Sequence, residues 1–283
     1  MTVVVLALAA AAAWGTADFL GGRVTRDLAA TTVVLVSKAA ALVLLLPLAV
    51  GLDQLPSGDG LAWALVAGPI GIAAVSALYA ALASGPMSLV APVTACSALV
   101  PATIALLGGE SVTALAAAGM LCAFGGAVLV SRPPTDPGAA GLDARSLGVA
   151  LVAAGLLGGW TATVQQAALA ADDAAFGITA LGTLTGLLTL AAALAVRGAF
   201  PRPTRAHLGS VVGLGLLDAA GLALYAAATG PGDAAPVAIL GSLYPVVTIL
   251  LARALLAERM SGGQAFGVVV TFVGIGLLTA GLA

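Results

Sequence analysis

Residues 77–86 read ALYAALASGP, and nearly the same phrase returns at 223–231 as ALYAAATGP. Tyr79 and Tyr225 stand 146 residues apart, and so do Trp14 and Trp160. Two prolines nine residues apart follow each phrase, Pro92 and Pro101 in the first copy and Pro236 and Pro245 in the second. Glu110 then precedes Gly119 and Gly126, and Glu258 precedes Gly267 and Gly274, at spacings of 9 and 16 both times. A period near 146 residues is too long for a solenoid, whose units run to about 20–50 residues. The 283 residues are one unit written twice.

Composition says what kind of unit. Charged side chains make up 8% of the chain and the apolar set 61%, with 37 glycines besides. A soluble domain carries about 25% charge, and no water-soluble globule of this size covers so much apolar surface with so few charges. Disorder, coiled coil and nucleic-acid binding each need a charge-rich chain and fall to the same arithmetic. A bilayer core of about 30 Å takes roughly 20 residues of helix. Ten stretches qualify: 3–20, 29–50, 61–82, 88–107, 112–131, 146–168, 174–196, 207–228, 235–256 and 263–282. The expected fold is an all-α polytopic membrane protein of ten transmembrane helices.

Five spans per copy is an odd number, so the second copy enters the membrane upside down, giving a 5+5 inverted repeat. Its parts are a first five-helix repeat at 1–131, a Pro/Gly linker at 132–145 and a second repeat at 146–283. The opening MTVVVLALAAAAAW has the apolar run of a signal peptide but lacks the basic n-region, and the repeat marks it as a span. All nine arginines lie in or beside odd-numbered connections: Arg23, Arg26, Arg132, Arg145, Arg197, Arg202, Arg205, Arg253 and Arg259. Even-numbered connections hold only acids, namely Asp53, Asp59, Glu110, Asp172, Asp173 and Asp233. Arginine-bearing loops stay in the cytoplasm, so both termini are expected outside, in a prokaryotic inner or plasma membrane.

Each half thus has an early Trp near a Gly, a Pro-rich fourth span, a Gly-Glu or Ala-Glu turn and a Gly-spaced fifth span. In duplicate, this ordered set resembles the EamA-type branch of the drug/metabolite transporter superfamily, over about 4–131 and 147–280. The resemblance implies a ten-helix carrier whose central cavity is lined by spans 1–4 and 6–9, with spans 5 and 10 to the side. One departure stands out. Nine residues separate Pro101 from Glu110, but thirteen separate Pro245 from Glu258, so the fourth span should be about one turn shorter than the ninth.

Charges inside spans are the sharpest functional signal, because one at a helix centre costs about 2.5–3.5 kcal/mol on insertion scales. Lys38, the only lysine, and Asp218 each lie roughly 15 Å from a span end. A lysine can lose its proton when buried and an arginine cannot. These two are expected to face a shared cavity as the substrate or proton site; a purely structural pair is the alternative. Asp18, one turn after Trp14, either joins them or pairs with Arg23. Trp14, Trp160, Tyr79, Tyr225 and Tyr244 are candidates to stack on substrate or, alternatively, to form an interfacial belt. Pro92, Pro101, Pro236 and Pro245 each delete a backbone donor. As helix breaks at matching places in both halves they point to the pathway, with Ser97 and Ser242 (and Thr94) beside them as hydrogen-bonding groups; plain hinges are the other reading. Gly155 with Gly159, Gly182 with Gly186 and Gly209 with Gly213 offer small-residue contact faces.

Cys96 and Cys122 fall within spans and act as small hydrophobes; His207, Gln165 and Gln166 lie at span ends. No metal or redox pattern, nucleotide-binding loop or catalytic constellation is present, so neither an enzyme nor any cofactor is expected. A channel would need a ring of like charge or carbonyls. The expected function is secondary transport of small polar or amphipathic metabolites, amino acid-like zwitterions or organic cations, driven by a proton gradient or by exchange. A multidrug exporter of the same fold is the alternative. The expected partners are a small-molecule substrate and the lipid bilayer, with the proton as candidate coupling ion and a second copy, in a homodimer, as candidate protein partner.

Overall fold

The computed structural model describes residues 2–109, 113–133, 136, 138–171, 174–198, 205–229 and 234–282. Glu110, Asp172, Asp173, Arg202 and Asp233 lie outside the described residues, as does the side chain of Pro236. Twelve α-helices follow one another: α1 (Thr2–Val24), α2 (Ala30–Gly51), α3 (Gly58–Ser84), α4 (Met87–Ala95), α5 (Leu99–Leu107), α6 (Ala114–Val130), α7 (Ala144–Ala170), α8 (Ala175–Val196), α9 (Arg205–Ala228), α10 (Ala234–Gly241), α11 (Tyr244–Leu256) and α12 (Gly262–Leu282). They make ten apolar rods, because α4 with α5 and α10 with α11 are each one span interrupted near its middle. Nine of the rods reach 18 residues; α6 has 17, about 25 Å of helix.

The two interruptions show how proline is used here. A 3-10 turn at Cys96–Ala98 separates α4 from α5, and Ser242–Leu243 separate α10 from α11. Pro101 and Pro245 then fall in the first turn of the following helix, where a missing N–H has no intrahelical acceptor to lose. Pro92 is not a break, since α4 runs past it to Ala95; Pro236 is the third residue of α10 and does not break its helix either. Pro47 and Pro69, inside α2 and α3, had given no repeat signal. The expected one-turn deficit of the fourth span shrinks to two residues, 87–107 against 234–256. Fourteen residues lead from Met87 to Pro101 but eleven from Ala234 to Pro245, which offsets most of the shortfall beyond the proline.

Packing follows the repeat. α3 lies along α7 and α8, as α9 lies along α1 and α2; α1 crosses α11 as α7 crosses α4 and α5; α6 and α12 pair with each other at the side. Lipid gives helices no hydrophobic reason to associate, so backbone proximity must hold them. The glycines that provide it are mostly not those of the GxxxG pairs. Gly155, Gly159, Gly209 and Gly213 face open space, which corrects the expectation for α7 and α9, whereas Gly182 and Gly186 do meet Gly68 of α3. On α7 the contact face is one residue away, at Gly158 against Val100 and the Ser97 carbonyl; on α9 it is Gly215 against Ser37 and Gly221 against the Trp14 ring.

The described ends of the odd-numbered connections meet at one end of the bundle. Arg26 after α1 pairs with Glu258 after α11, and Glu258 accepts hydrogen bonds from the first turn of α4. Ser146 of α7 donates to the Ser84 carbonyl at the end of α3, and His207 of α9 faces Asp27. Ser261 and Gln264 form a reciprocal capping box at the start of α12. The Gln264 amide also donates to the carbonyls of Arg132 and Ala140, holding the linker against it. Asp143 caps α7 through Ser146 N at 2.7 Å, and that bond holds its carboxyl below the usual carboxylate range. At the other end Gln54 accepts from Phe176 N, and Thr113 donates to the Gly281 carbonyl. The described parts of the arginine-bearing connections thus lie at one face in space as well as in sequence.

Candidate functional site

The site gathers on α1, α2, α9 and α11. Lys38 is the ninth residue of the 22 in α2, and Asp218 the fourteenth of the 24 in α9, so both are near mid-span. Close approach of α2 and α9 at Ser37 and Gly215 brings the two side chains together: Lys38 Nζ donates to Asp218 Oδ2 at 2.6 Å. The lysine side chain is 14% exposed and the aspartate 31%, so the pair is sheltered and its acid end is the less buried of the two. Each charge answers the other. That removes most of the cost of placing either at mid-span.

Trp14 sits beside this pair. Its indole Nε1–H donates to the Asp218 carbonyl at 3.1 Å, and its ring lies against Gly221, one turn along α9. Tyr225 and Tyr244 complete an aromatic cluster, their rings 5.5 Å and 6.4 Å from that of Trp14. Tyr244 opens α11, just after the Ser242–Leu243 interruption, and Gly15 lets the backbones of α1 and α11 touch there. Thr248 fastens the same crossing by donating to the Gly15 carbonyl at 3.0 Å.

Asp18 is one turn along α1 from Trp14, six residues before the helix end, and lies within electrostatic reach of Asp218, Lys38, Tyr79 and Tyr244. Among the described residues no ion pair joins it to Arg23. Tyr79 is buried with its ring against Gly21. Lys38, Asp218, Asp18, Trp14, Tyr225, Tyr244 and, at its edge, Tyr79 therefore belong to one neighbourhood.

The remaining candidates lie elsewhere. Trp160 packs against Gly71 in the α3–α7 contact, the inverted counterpart of Trp14 against α9. Ser97 is buried in the 3-10 turn, and its carbonyl is covered by Gly158 of α7. Ser242 donates back to the Ile239 carbonyl in the last turn of α10. The counterpart helices hold no matching charges: α8 has none, α3 only Asp59 in its first turn, and α7 only Arg145. Mid-span charge is confined to one of these two symmetry-related places.

Two residues escaped the sequence reading. Thr248 looked like any threonine in an apolar run. Glu258 appeared only as a marker of the repeat. Its spacing from the second Pro, longer than in the first copy, was the one available hint that it reaches back to another span. Two clefts are present away from the pair, one of about 360 Å³ at the arginine-bearing end between Thr25, Arg26 and Ser84, the other of about 430 Å³ between α4, α6 and α7. Among the described residues no group of three or more His, Cys, Asp or Glu is placed to hold a metal ion.

No curated protein matches the sequence. A solved structure titled "Crystal structure of protein" is similar over 97% of this chain and 95% of its own, at a TM-score of 0.60 and 19% identity, which speaks to the fold alone. The model of the EamA-like transporter family matches residues 1–132 and 146–280, one domain on each repeat. The chain belongs to that family, and is an integral membrane protein of drug/metabolite transporter type built as two inverted five-helix repeats.

Proposed function

We propose that the protein is a secondary active transporter of small polar or amphipathic metabolites, with amino acid-like zwitterions and organic cations as the favoured classes. The observation that carries this reading is the Lys38–Asp218 pair at mid-span, bordered by Trp14, Tyr225 and Tyr244. A zwitterion can replace the pair group by group, its carboxylate taking Lys38 and its ammonium Asp218. An organic cation can take Asp218 and stack on the aromatic rings. A dianion would leave Asp218 facing like charge. Only a carrier with no ATP site needs an ion gradient or a counter-substrate to do work, so a proton at Asp218 or Asp18, or exchange, is the proposed driving force.

The test is transport by purified protein in liposomes, with radiolabelled amino acids and organic cations, with and without an imposed proton gradient. Gradient-dependent accumulation of a zwitterion or cation, absent from empty liposomes, is the expected result. Accumulation of dianions alone would overturn the substrate class, and conduction without saturation would favour a channel.

Orientation is proposed on the same footing. Arginine-bearing connections are held in the cytoplasm, so both termini face outward. A cysteine added after Ala283 should react with a membrane-impermeant maleimide on intact cells. Reaction only after permeabilisation would reverse the topology.

A further inference from the structure

The inference rests on the transporter reading and concerns how the two ends of the bundle open. Tyr79 and Tyr225 occupy matching places in the two repeats, yet they do different things. Tyr79, five residues from the end of α3, is 3% exposed and its ring closes on Gly21 of α1. One residue on, Gly22 lies against Leu82 and Met87, so the ends of α1, α3 and α4 pack closely at the arginine-bearing face, beside the cleft at Thr25, Arg26 and Ser84. The mirrored contact would join Tyr225 of α9 to Ala167 of α7. Instead Tyr225 lies on Gly241 and Trp14, and among the described residues α9 and α7 do not pack as α3 and α1 do. The arginine-bearing face is closed by the Tyr79 and Gly22 contacts.

Glu258 stands at the centre of the closed face. Its Oε1 accepts from Met87 N at 3.0 Å and its Oε2 from Ser88 N at 2.8 Å, so both oxygens cap the orphan donors that begin α4. Arg26, just beyond α1, approaches Oε1 at 3.7 Å. The carboxylate is 10% exposed, and the backbone turns it inward through Ala257, a non-glycine residue at φ 54°. A left-handed alanine is strained where a glycine would be free, a strain that contacts made by the next residue can offset. Neither Met87 nor Ser88 belongs to the same repeat as Glu258, and Arg26 belongs to a third connection. One side chain therefore ties the ends of three spans across the two halves.

The geometry points to Glu258 as a latch: its bidentate grip on the start of α4, braced by Arg26, holds the arginine-bearing face shut in this state and must release for that face to open. Motion of α1 away from α3 cannot occur with Arg26 and α4 both held to one carboxylate. Its release costs hydrogen bonds to an ionised acceptor, which are among the stronger kind, so losing them should move the open-to-closed ratio about tenfold.

Spin labels at Arg23→Cys and Ser84→Cys, both exposed and at the ends of α1 and α3, report the separation by double electron–electron resonance in a Cys96→Ala, Cys122→Ala background. With Glu258 present, one short distance should dominate. Glu258→Gln and Glu258→Ala should raise a longer population about tenfold, and Arg26→Gln should raise it about as much, because of the three contacts to Glu258 only that of Arg26 reaches α1. An unchanged distribution in Glu258→Ala overturns the latch. Should that variant fail to accumulate, Arg26→Gln decides: no gain of the longer distance overturns it equally. Normal transport with unaltered distances leaves the transporter reading standing and removes the latch. Altered distances in a protein that moves no solute do the reverse.

Discussion

Gradient-driven transport by the Asp218→Asn protein is expected to fall to background while the protein remains folded and extractable. Asparagine keeps the size of the side chain and can still accept from Lys38 Nζ, which now lies 2.6 Å from the carboxylate. What it lacks is charge, and with it both the partner of Lys38 and a site for a proton or a cationic group. Loss of a charge-assisted contact worth about 2–3 kcal/mol corresponds to a fall of about 30–150-fold in affinity or rate. Lys38→Ala should weaken zwitterions more than cations, because only the former need a positive partner for a carboxylate.

A structural pair would behave differently, and a second pair of variants separates the cases. Deleting one member of a fully buried ion pair costs about 3–5 kcal/mol, whereas replacing both with apolar residues is often neutral. Asp218 keeps 31% of its side chain exposed, so the cost here falls below that range. Lys38→Met combined with Asp218→Leu should therefore melt close to the unaltered protein and transport nothing. If that double variant, or Asp218→Asn, transports at the unaltered rate, the pair only holds α2 to α9. The aromatic cluster and Asp18 then become the better site.

The parts of this site differ in how plainly the sequence announced them. A lone lysine and a lone aspartate amid apolar runs are visible because the bilayer penalises them; no geometry is needed to single them out. Their meeting is not visible, since it depends on which faces of α2 and α9 touch at Ser37 and Gly215. Trp14 and Trp160 are equivalent by spacing, and the inverted repeat separates them: each packs on the third or equivalent helix of the opposite half, and only one of those places carries charge. Tyr79 and Tyr225 match in sequence but diverge in contact, one on Gly21 and the other on Gly241 and Trp14, a difference of packing that a single sequence does not encode. Ten spans and their inversion were legible from length, composition and period. The helix interruptions fell a few residues before Pro101 and Pro245, where first-turn tolerance places them, and not at Pro92 or Pro236.

Gly126→Leu is expected to abolish the paired α6–α12 layer, while Gly125→Leu, one residue away, leaves it intact. A side chain at Gly126 would meet the backbone nitrogen of Thr271 and the carbonyl of Gly267; one at Gly125 would meet nothing within 4 Å. The seam repeats this contact every seven residues. Gly119 lies against Leu278 and Gly274, Gly267 against Gly126 and Val130, Gly274 against Ala123, and Gly281 against Ala116. These neighbours are backbone atoms, which cannot turn aside as a flexible side chain would. Overpacking by a few methylenes costs about 1–3 kcal/mol where a core can adjust, and a rigid backbone seam should exceed that. Helix propensity works the other way, because leucine is better than glycine in a helix interior by nearly 1 kcal/mol. That gain is common to both positions, so Gly125→Leu should melt at or above the unaltered protein in detergent, and Gly126→Leu should melt far below it or fail to give a monodisperse peak. Equal melting temperatures for the two variants would mean that α6 and α12 are not in backbone contact, and that some other pair of helices holds the side of the bundle together.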